Sequence, residues 1–154
     1  TSFGKGTVQE TWDLTNGGSV KLSTNKWLTP KETWIHERGV QPDVEADQHP
    51  LYTIEFVPIR GSFEAGDFSE EIAYAQKVLH GFGFPIVRQD GYFDEATKKA
   101  VIAFREKYDI HEGEVLDELF FEKMQEQVVL YKDKEENDLQ LQMGVSYIMH
   151  KLGH

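Results

Sequence analysis

Lys5, near the start of the chain, is a candidate for a catalytic base. It stands between Gly4 and Gly6 and precedes the strand-like run TVQ. A lysine amine is a base only when it is uncharged, and its ordinary pKa of about 10.4 keeps it protonated at neutral pH. Burial in an apolar setting lowers the pKa of a lysine by several units. Lys5 therefore needs a dry pocket if it is to accept a proton in a reaction.

Other interpretations of the same triplet stay open at this point. A lysine between glycines is also typical of a solvated, glycine-rich turn. A phosphate-binding loop is a weaker alternative, because that motif has the order G-x-x-x-x-G-K-[ST] and leads into a helix, whereas here Gly6 follows the lysine and a strand is predicted next. If the segment is extended, residues 5, 7 and 9 share one face, which places Lys5 and Gln9 near each other.

Composition limits the classes of partner and cofactor. The 154 residues carry a net charge of -11, and the segment 59–130 alone holds 15 acidic residues against 8 basic ones. Such a surface repels phosphate backbones and anionic lipid, so no nucleic-acid partner is expected. The absence of cysteine excludes disulfides and thiolate metal sites. No cofactor is indicated.

The first part of the chain is predicted to be a β region, over residues 6–47. The runs GTVQETWDL and VKLSTNKWL have strand character, and the tight-turn signal TNGGS between them predicts a hairpin. The following run TWIHERGVQPDVEAD is expected to hold two short extended pieces, because Gly39 and Pro42 interrupt it. A first strand without an earlier partner suggests a sheet whose other strands are not in the given sequence.

The period of the apolar residues changes to that of helices after the irregular stretch 51–66. Four stripes have helical spacing: Ile72, Ala75, Leu79 and Phe82; Ala100, Val101, Phe104 and Tyr108; Phe120, Met124 and Val128; Leu141, Val145, Ile148 and Leu152. The predicted N-caps are Asp67 (with Glu70 as its capping-box partner), Asp94, Asp117 and Asp138. YKDKEEND is interpreted as a solvated linker, and the last helix needs a partner to cover its apolar face. The fold class is therefore α+β, a partial β region followed by a three-helix module and a C-terminal helix.

Different segments of the chain resemble two different families. The blocks SFGKGTVQ, GGSVKLSTNKWLTP and WIHERGVQPDV resemble the end of the catalytic domain of carboxyl-terminal processing proteases, the tail-specific serine peptidases. GDFSEEIAYAQKVLHGFGF, DGYFDEATKKAVIAF and GEVLDELFFEKM resemble a three-helix peptidoglycan-binding module, and ENDLQLQMGVSYIMHKL resembles the closing helix of the same proteases. The resemblance implies three regions: residues 1–58 as the last protease strands, 59–130 as an inserted module, as in Bacillus-type members, and 131–154 as linker and closing helix.

The resemblance also implies a reaction, the hydrolysis of proteins near their C-termini by a serine nucleophile with lysine as general base. Lys5 corresponds to that lysine and Gln9 to the glutamine that orients it, since its amide oxygen can accept a hydrogen bond from the amine. The family's serine, oxyanion-hole glycine and PDZ domain lie upstream of the lysine and are not among these residues, and Ser2 and Ser19 do not replace the serine. We therefore expect the 154 residues alone to be inactive.

Phe84, Tyr92 and Phe93 lie near the turns of the helical module and are candidates for glycan contact. Aromatic faces commonly bind sugars, and packing in the core is the alternative for each ring. The resemblance places the protein outside the cytoplasm, in the cell envelope or secreted, in a Gram-positive organism.

Two spacings suggest metal ions and are given simpler interpretations. Asp90 and Asp94 lack the further oxygen ligands of a calcium loop, so a turn followed by a helix cap is favoured. His150 and His154 have the i, i+4 spacing of helical metal ligands but no third ligand. No metal site is predicted.

An alternative function of a different class is a non-catalytic module that binds the cell wall, in which the helical part is the only functional unit. The helical insert could also form a protein interaction or homodimer surface. The expected partners are thus protein or peptide substrates in the full enzyme, peptidoglycan, and a second copy of the chain.

Overall fold

The computed structural model describes residues 1–153 and has the predicted α+β composition. The chain forms two compact units, Thr1–Glu45 and Ala46–His154. The three regions expected from the sequence, 1–58, 59–130 and 131–154, divide the chain differently and stay a prediction.

The first unit contains the predicted hairpin. Strand β1, Thr7–Asp13, pairs antiparallel with β2, Ser19–Lys26. The turn forms at the predicted place, where the Leu14 N–H donates to the Gly18 carbonyl at 2.7 Å and Gly17 has a φ of +83°. The positive φ explains the glycine, because other residues adopt this conformation only at a cost.

The hairpin has one irregularity in its register. Val8 lies opposite Asn25 while the next residue, Gln9, lies opposite Ser23, so Thr24 is an extra residue in β2. The run 33–47, which was expected to hold two extended pieces, forms no strand of a sheet. Only an isolated bridge forms there, between Leu28 and Trp34.

The first unit buries no apolar side chain. Gly4 and Gly6 are its only buried residues among those described. Eight of its large apolar side chains are exposed: Phe3, Trp12, Leu14, Leu22, Trp27, Leu28, Trp34 and Val40. Val8, Val20, Ile35 and Val44 are half-buried. An isolated two-stranded sheet is marginally stable in water, so backbone hydrogen bonds rather than a core hold this unit together.

The second unit is helical. Its elements are α1 (Pro50–Thr53), α2 (Glu70–Gly81), α3 (Glu95–Lys107), α4 (Glu118–Lys132), a 3₁₀ turn (Glu135–Asn137) and α5 (Leu139–Leu152). Helix α1 was not predicted, since four residues are too few to show a helical period.

Three of the four predicted caps are confirmed. Asp94, Asp117 and Asp138 accept hydrogen bonds from backbone N–H groups in the first turns of α3, α4 and α5. The prediction for Asp67 is wrong, because Ser69 caps α2. The Asp67 carboxylate instead accepts the N–H of Glu64 at 2.9 Å and closes the turn before the helix.

The stripes of the first three predicted helices form the core. The fully buried positions include Ile72, Ala75, Leu79, Val101, Phe104, Phe120 and Met124, each 0% exposed. Fully burying one large apolar side chain of this kind stabilises the fold by about 1.5–3 kcal/mol, so α2, α3 and α4 hold one another in place.

Arg105 joins the loop after α3 to the start of α4. It is 3% exposed and donates from Nη1 to the His111 carbonyl at 2.9 Å and from Nη2 to the Val115 carbonyl at 2.8 Å. The same Nη2 lies 2.7 Å from the Asp117 carboxylate. Partial burial raises the pKa of Asp117, but the hydrogen bonds from Arg105 and from the Phe120 N–H outweigh it and lower that pKa overall.

Helix α5 has the predicted apolar stripe, and its side chains are all exposed among the described residues. Only its N-terminus is held: Gln48 donates to the Asp138 carboxylate at 2.7 Å and accepts the Leu139 N–H at 3.2 Å. No described helix combines the length and the apolar character needed to cross a lipid bilayer.

Candidate functional site

Lys5 lies two residues before β1, and its side chain is exposed. The described residues therefore do not themselves form the dry pocket that a basic lysine needs. Phe3, two residues before Lys5, is 97% exposed and does not shield the amine. What the structure does fix around Lys5 is the backbone.

The glycines on both sides of Lys5 are required by close backbone packing. A Cβ at Gly4, where φ is +79°, would lie 2.8 Å from the Gly39 nitrogen. A Cβ at Gly6 would lie 2.4 Å from the His36 nitrogen. Both distances are shorter than real Cβ contacts, so neither position accepts a side chain without displacing the turn at residues 36–39.

Hydrogen bonds hold the backbone before and after Lys5. The carbonyl of Gly4 accepts the N–H of Glu37 at 2.9 Å. The carbonyl of Gly6 accepts both the N–H of Trp27 at 2.9 Å and the indole N–H of Trp34 at 2.8 Å. Lys5 is thus held at its Cα by its two neighbours, while its side chain projects into solvent.

Gln9 is exposed on β1 opposite Ser23. No hydrogen bond joins it to Lys5 among the described residues. The role of Gln9 in orienting the amine therefore stays a prediction, as does the role of Lys5. The turn at 36–39 and the indole of Trp34 were not predicted to hold the lysine, since contacts between distant segments leave no periodic signal in the sequence.

The three glycan candidates have different environments. Phe93 is 1% exposed and belongs to the core, so the expectation that it is an exposed ring is wrong. Phe84 is half-buried, with its ring 5.7 Å from that of Phe104. Tyr92 is 39% exposed and is the candidate that keeps an accessible face.

Tyr92 is positioned by a buried glutamine. Gln76, 0% exposed, donates to the Tyr92 carbonyl and to the Thr97 hydroxyl, both at 2.8 Å, and accepts the Gly91 N–H at 3.0 Å. The loop that carries Tyr92 is therefore fixed to α2 and to the start of α3.

Phe68 is an exposed aromatic residue that the sequence reasoning missed. It is 72% exposed and forms an antiparallel bridge with Tyr92, which places the two side chains on the same face. The Arg88 guanidinium lies 4.9 Å from the centre of the Tyr92 ring and makes two hydrogen bonds to Asp90. Those bonds lower the pKa of Asp90 to about 2.

The acidic residues of the DGYFD segment have structural roles. Asp90 pairs with Arg88, and Asp94 caps α3, which confirms the interpretation as turn plus cap. Partial burial raises the pKa of Asp94, but hydrogen bonds from the N–H and hydroxyl of Thr97 outweigh it, and the pKa is lowered. Within residues 1–153 no cluster of three metal-binding side chains occurs. Of the histidine pair considered above, His150 lies in the last turn of α5 and His154 lies outside the described residues.

Comparison with known proteins gives two family matches and a consistent set of relatives. Residues 1–46 match peptidase family S41, and residues 68–124 match the family described as "Putative peptidoglycan binding domain". The chain is 37% identical over 145 residues to carboxy-terminal processing protease CtpB of Bacillus subtilis (strain 168), covering 94% of this chain and 30% of that protein. The resemblance to carboxyl-terminal processing proteases is confirmed.

Two further relatives show similar coverage. CtpA of Bacillus subtilis (strain 168) is 28% identical over 152 residues, which are 99% of this chain and 32% of that protein. A probable CtpA-like serine protease of Staphylococcus saprophyticus is 28% identical over 138 residues, 90% of this chain and 28% of that protein. The chain thus spans less than a third of the length of each of these relatives.

The two candidate sites fall into different matched segments. Lys5, Gln9 and the flanking glycines lie within the peptidase S41 match, and Phe84 and Tyr92 lie within the peptidoglycan-binding match. The candidates for catalysis therefore lie in the hairpin unit, and the candidates for glycan contact lie in the helical unit.

Proposed function

We propose that this chain is the C-terminal part of a serine peptidase that cleaves proteins near their C-termini, with Lys5 as general base and Gln9 orienting it. The match of residues 1–46 to peptidase family S41 carries this proposal. The glycine-packed backbone supports it, because a general base must be held within hydrogen-bond reach of the proton that it removes. The apolar enclosure of the amine would come from other parts of the intact enzyme.

The test is peptide hydrolysis by the intact enzyme that contains this chain. Lys5→Ala should lower kcat by about 10²–10⁴-fold, the usual contribution of general acid–base catalysis. Lys5→Arg should lower it similarly, because a guanidinium keeps the charge but cannot lose its proton in a protein. Lys21→Ala, an exposed lysine on β2 of the same unit, is the matched control. Full activity of Lys5→Ala would refute the assignment.

The 154 residues alone are proposed to be inactive, because a base without its nucleophile cannot form an acyl-enzyme. The purified chain should show no turnover of a fluorogenic peptide above a blank. Turnover that survives further purification would contradict this proposal and would direct attention to Ser2 and Ser19.

A second proposed function belongs to the helical unit, namely binding of peptidoglycan at the cell envelope of a Gram-positive bacterium. The match of residues 68–124 to a peptidoglycan-binding family supports it. Retention of the purified chain on purified peptidoglycan is the test. Elution with the unbound fraction would reject wall binding and leave the peptidase proposal intact.

Homodimer formation is a further proposal, favoured by the uncovered apolar side chains of α5, and gel filtration at several concentrations tests it.

A further inference from the structure

A cavity of about 480 Å³ opens where the C-terminal ends of α2, α3 and α4 meet. Its walls come from Gly81 and Phe82, Lys107 and Tyr108, Gln127, Leu130, Tyr131, Lys134 and Asn137. The volume is within the range of pockets that bind small ligands. Five of these nine residues lie beyond residue 124, where the match to the peptidoglycan-binding family ends.

Aromatic rings form one side of the cavity. The ring of Phe82 lies 6.2 Å from that of Tyr108 and 6.1 Å from that of Tyr131, centre to centre. Phe104 in the core supports Tyr108 at 4.5 Å. The two half-buried tyrosines therefore each lie against Phe82, and each offers part of an apolar face with a polar hydroxyl.

The charge of the cavity is opposite to that of the chain. Its charged residues are Lys107 and Lys134, and no carboxylate lines it, although the net charge of the chain is -11. Neither lysine forms a salt bridge among the described residues. The amine of Lys107 lies 5.3 Å from the centre of the Tyr108 ring, so the cation is held at the aromatic wall.

Three other depressions of the helical unit do not share this character. Carboxylates line each of them: Glu55 and Glu70 in one, Glu118 and Glu122 in the second, and Glu106, Asp109, Glu112 and Glu114 in the third. An anionic ligand would meet like charge in all three. Among the cavities compared, the one at the helix ends is the place where an anion meets only cations.

Two amide side chains complete the polar part of the cavity. Asn137 donates from Nδ2 to the Tyr131 carbonyl at 2.8 Å, which leaves its side-chain oxygen available as an acceptor. Gln127 makes no hydrogen bond within the described residues, so its amide can both donate and accept. Together with the lysines and tyrosines, these groups match a ligand that combines a carboxylate, an amide and an apolar face.

We propose that this cavity binds a carboxylate-bearing muramyl-peptide fragment of peptidoglycan. Lys107 and Lys134 pair with the carboxylate, the faces of Tyr108 and Tyr131 pack on the sugar or the peptide side chain, and Gln127 bonds its amides. The inference rests on the proposed wall binding and names the site and the ligand chemistry for it. It also predicts that residues 125–137, outside the matched segment, take part in recognition.

The test is titration of the 154-residue chain with a soluble muramyl peptide, with binding measured by calorimetry or by changes in amide chemical shifts. The double substitution Lys107→Gln and Lys134→Gln should weaken binding at least about tenfold, as expected for loss of hydrogen bonds to a charged group. Amidation of the ligand carboxylate should weaken binding to the parent chain comparably. Lys99→Gln, an exposed lysine elsewhere on α3, is the matched control and should bind like the parent. Helical ellipticity checks that each variant is folded.

Failure of this inference can be distinguished from failure of wall binding. Retention on peptidoglycan by the parent and equally by the double variant would overturn the cavity as the site, as would equal affinity for the carboxylate and the amidated ligand. Binding of the soluble fragment that the double variant loses, without retention of the parent on intact peptidoglycan, would overturn wall binding and support the cavity. Absence of binding in both assays would overturn both proposals.

Discussion

Gln76→Leu should destabilise the helical unit strongly although it replaces one buried side chain by another of similar size. Leucine cannot accept the Gly91 N–H or donate to the Tyr92 carbonyl, and the Thr97 hydroxyl loses one donor while keeping its bond to Asp94. Leaving a buried polar group without a partner costs about 1–3 kcal/mol. With two backbone groups affected, we expect a loss of about 3 kcal/mol in the free energy of unfolding.

The assay is thermal and urea unfolding, monitored by the ellipticity of the helices in circular dichroism. For a domain of this size, a loss of about 3 kcal/mol lowers Tm by roughly 12–24 °C. Gln89→Leu is the control, since Gln89 is exposed and makes no hydrogen bond in the described part of the chain; its effect should stay within about 0.5 kcal/mol. If Gln76→Leu is as stable as Gln89→Leu, the buried amide does not hold the Tyr92 loop and the reasoning is wrong.

Two further predictions concern the same unit. Gly91→Ala should destabilise the unit by more than about 1 kcal/mol, because φ at Gly91 is +94° and the new Cβ would lie 2.3 Å from the Ser69 carbonyl oxygen. The control in the same urea titration is Gly113→Ala, whose Cβ would meet no atom closer than 3.5 Å. Acid should also destabilise the unit, because the pKa values of Asp94 and Asp117 are lowered in the folded state. Their contribution is complete above the unfolded pKa of about 3.9 and is lost as the pH falls through the lower folded values, so stability measured against pH should decline below about pH 4. A flat profile from pH 5 to about pH 2 would contradict this.

Local chemistry allowed most of the secondary structure to be predicted. The hairpin follows from a tight-turn signal between two strand-like runs, and Asp94, Asp117 and Asp138 each stand directly before a helix. The cap of α2 was mispredicted because both Asp67 and Ser69 are good caps. Tertiary contacts decide between them, since the Asp67 carboxylate is used by its own turn.

The candidate sites depend more on contacts between distant segments. Tyr92 and Phe93 are adjacent aromatic residues, and the sequence alone does not show which ring faces outward. In the structure Tyr92 bridges to Phe68 and is exposed, while Phe93 lies in the core. In the same way, the packing of Gly4 against Gly39 could not be placed from spacing alone. Glycines permit close backbone approach, but their position in the sequence does not indicate which segment approaches.

The distribution of the tryptophans has a practical consequence. All three, Trp12, Trp27 and Trp34, lie in Thr1–Glu45, whereas every helix of the described chain lies after residue 45. Indole fluorescence therefore observes the coreless hairpin, and circular dichroism in the peptide region observes mainly the helices. Denaturation curves recorded by the two signals should not superimpose. A single melting temperature taken from indole emission would describe the hairpin unit and not the helical unit.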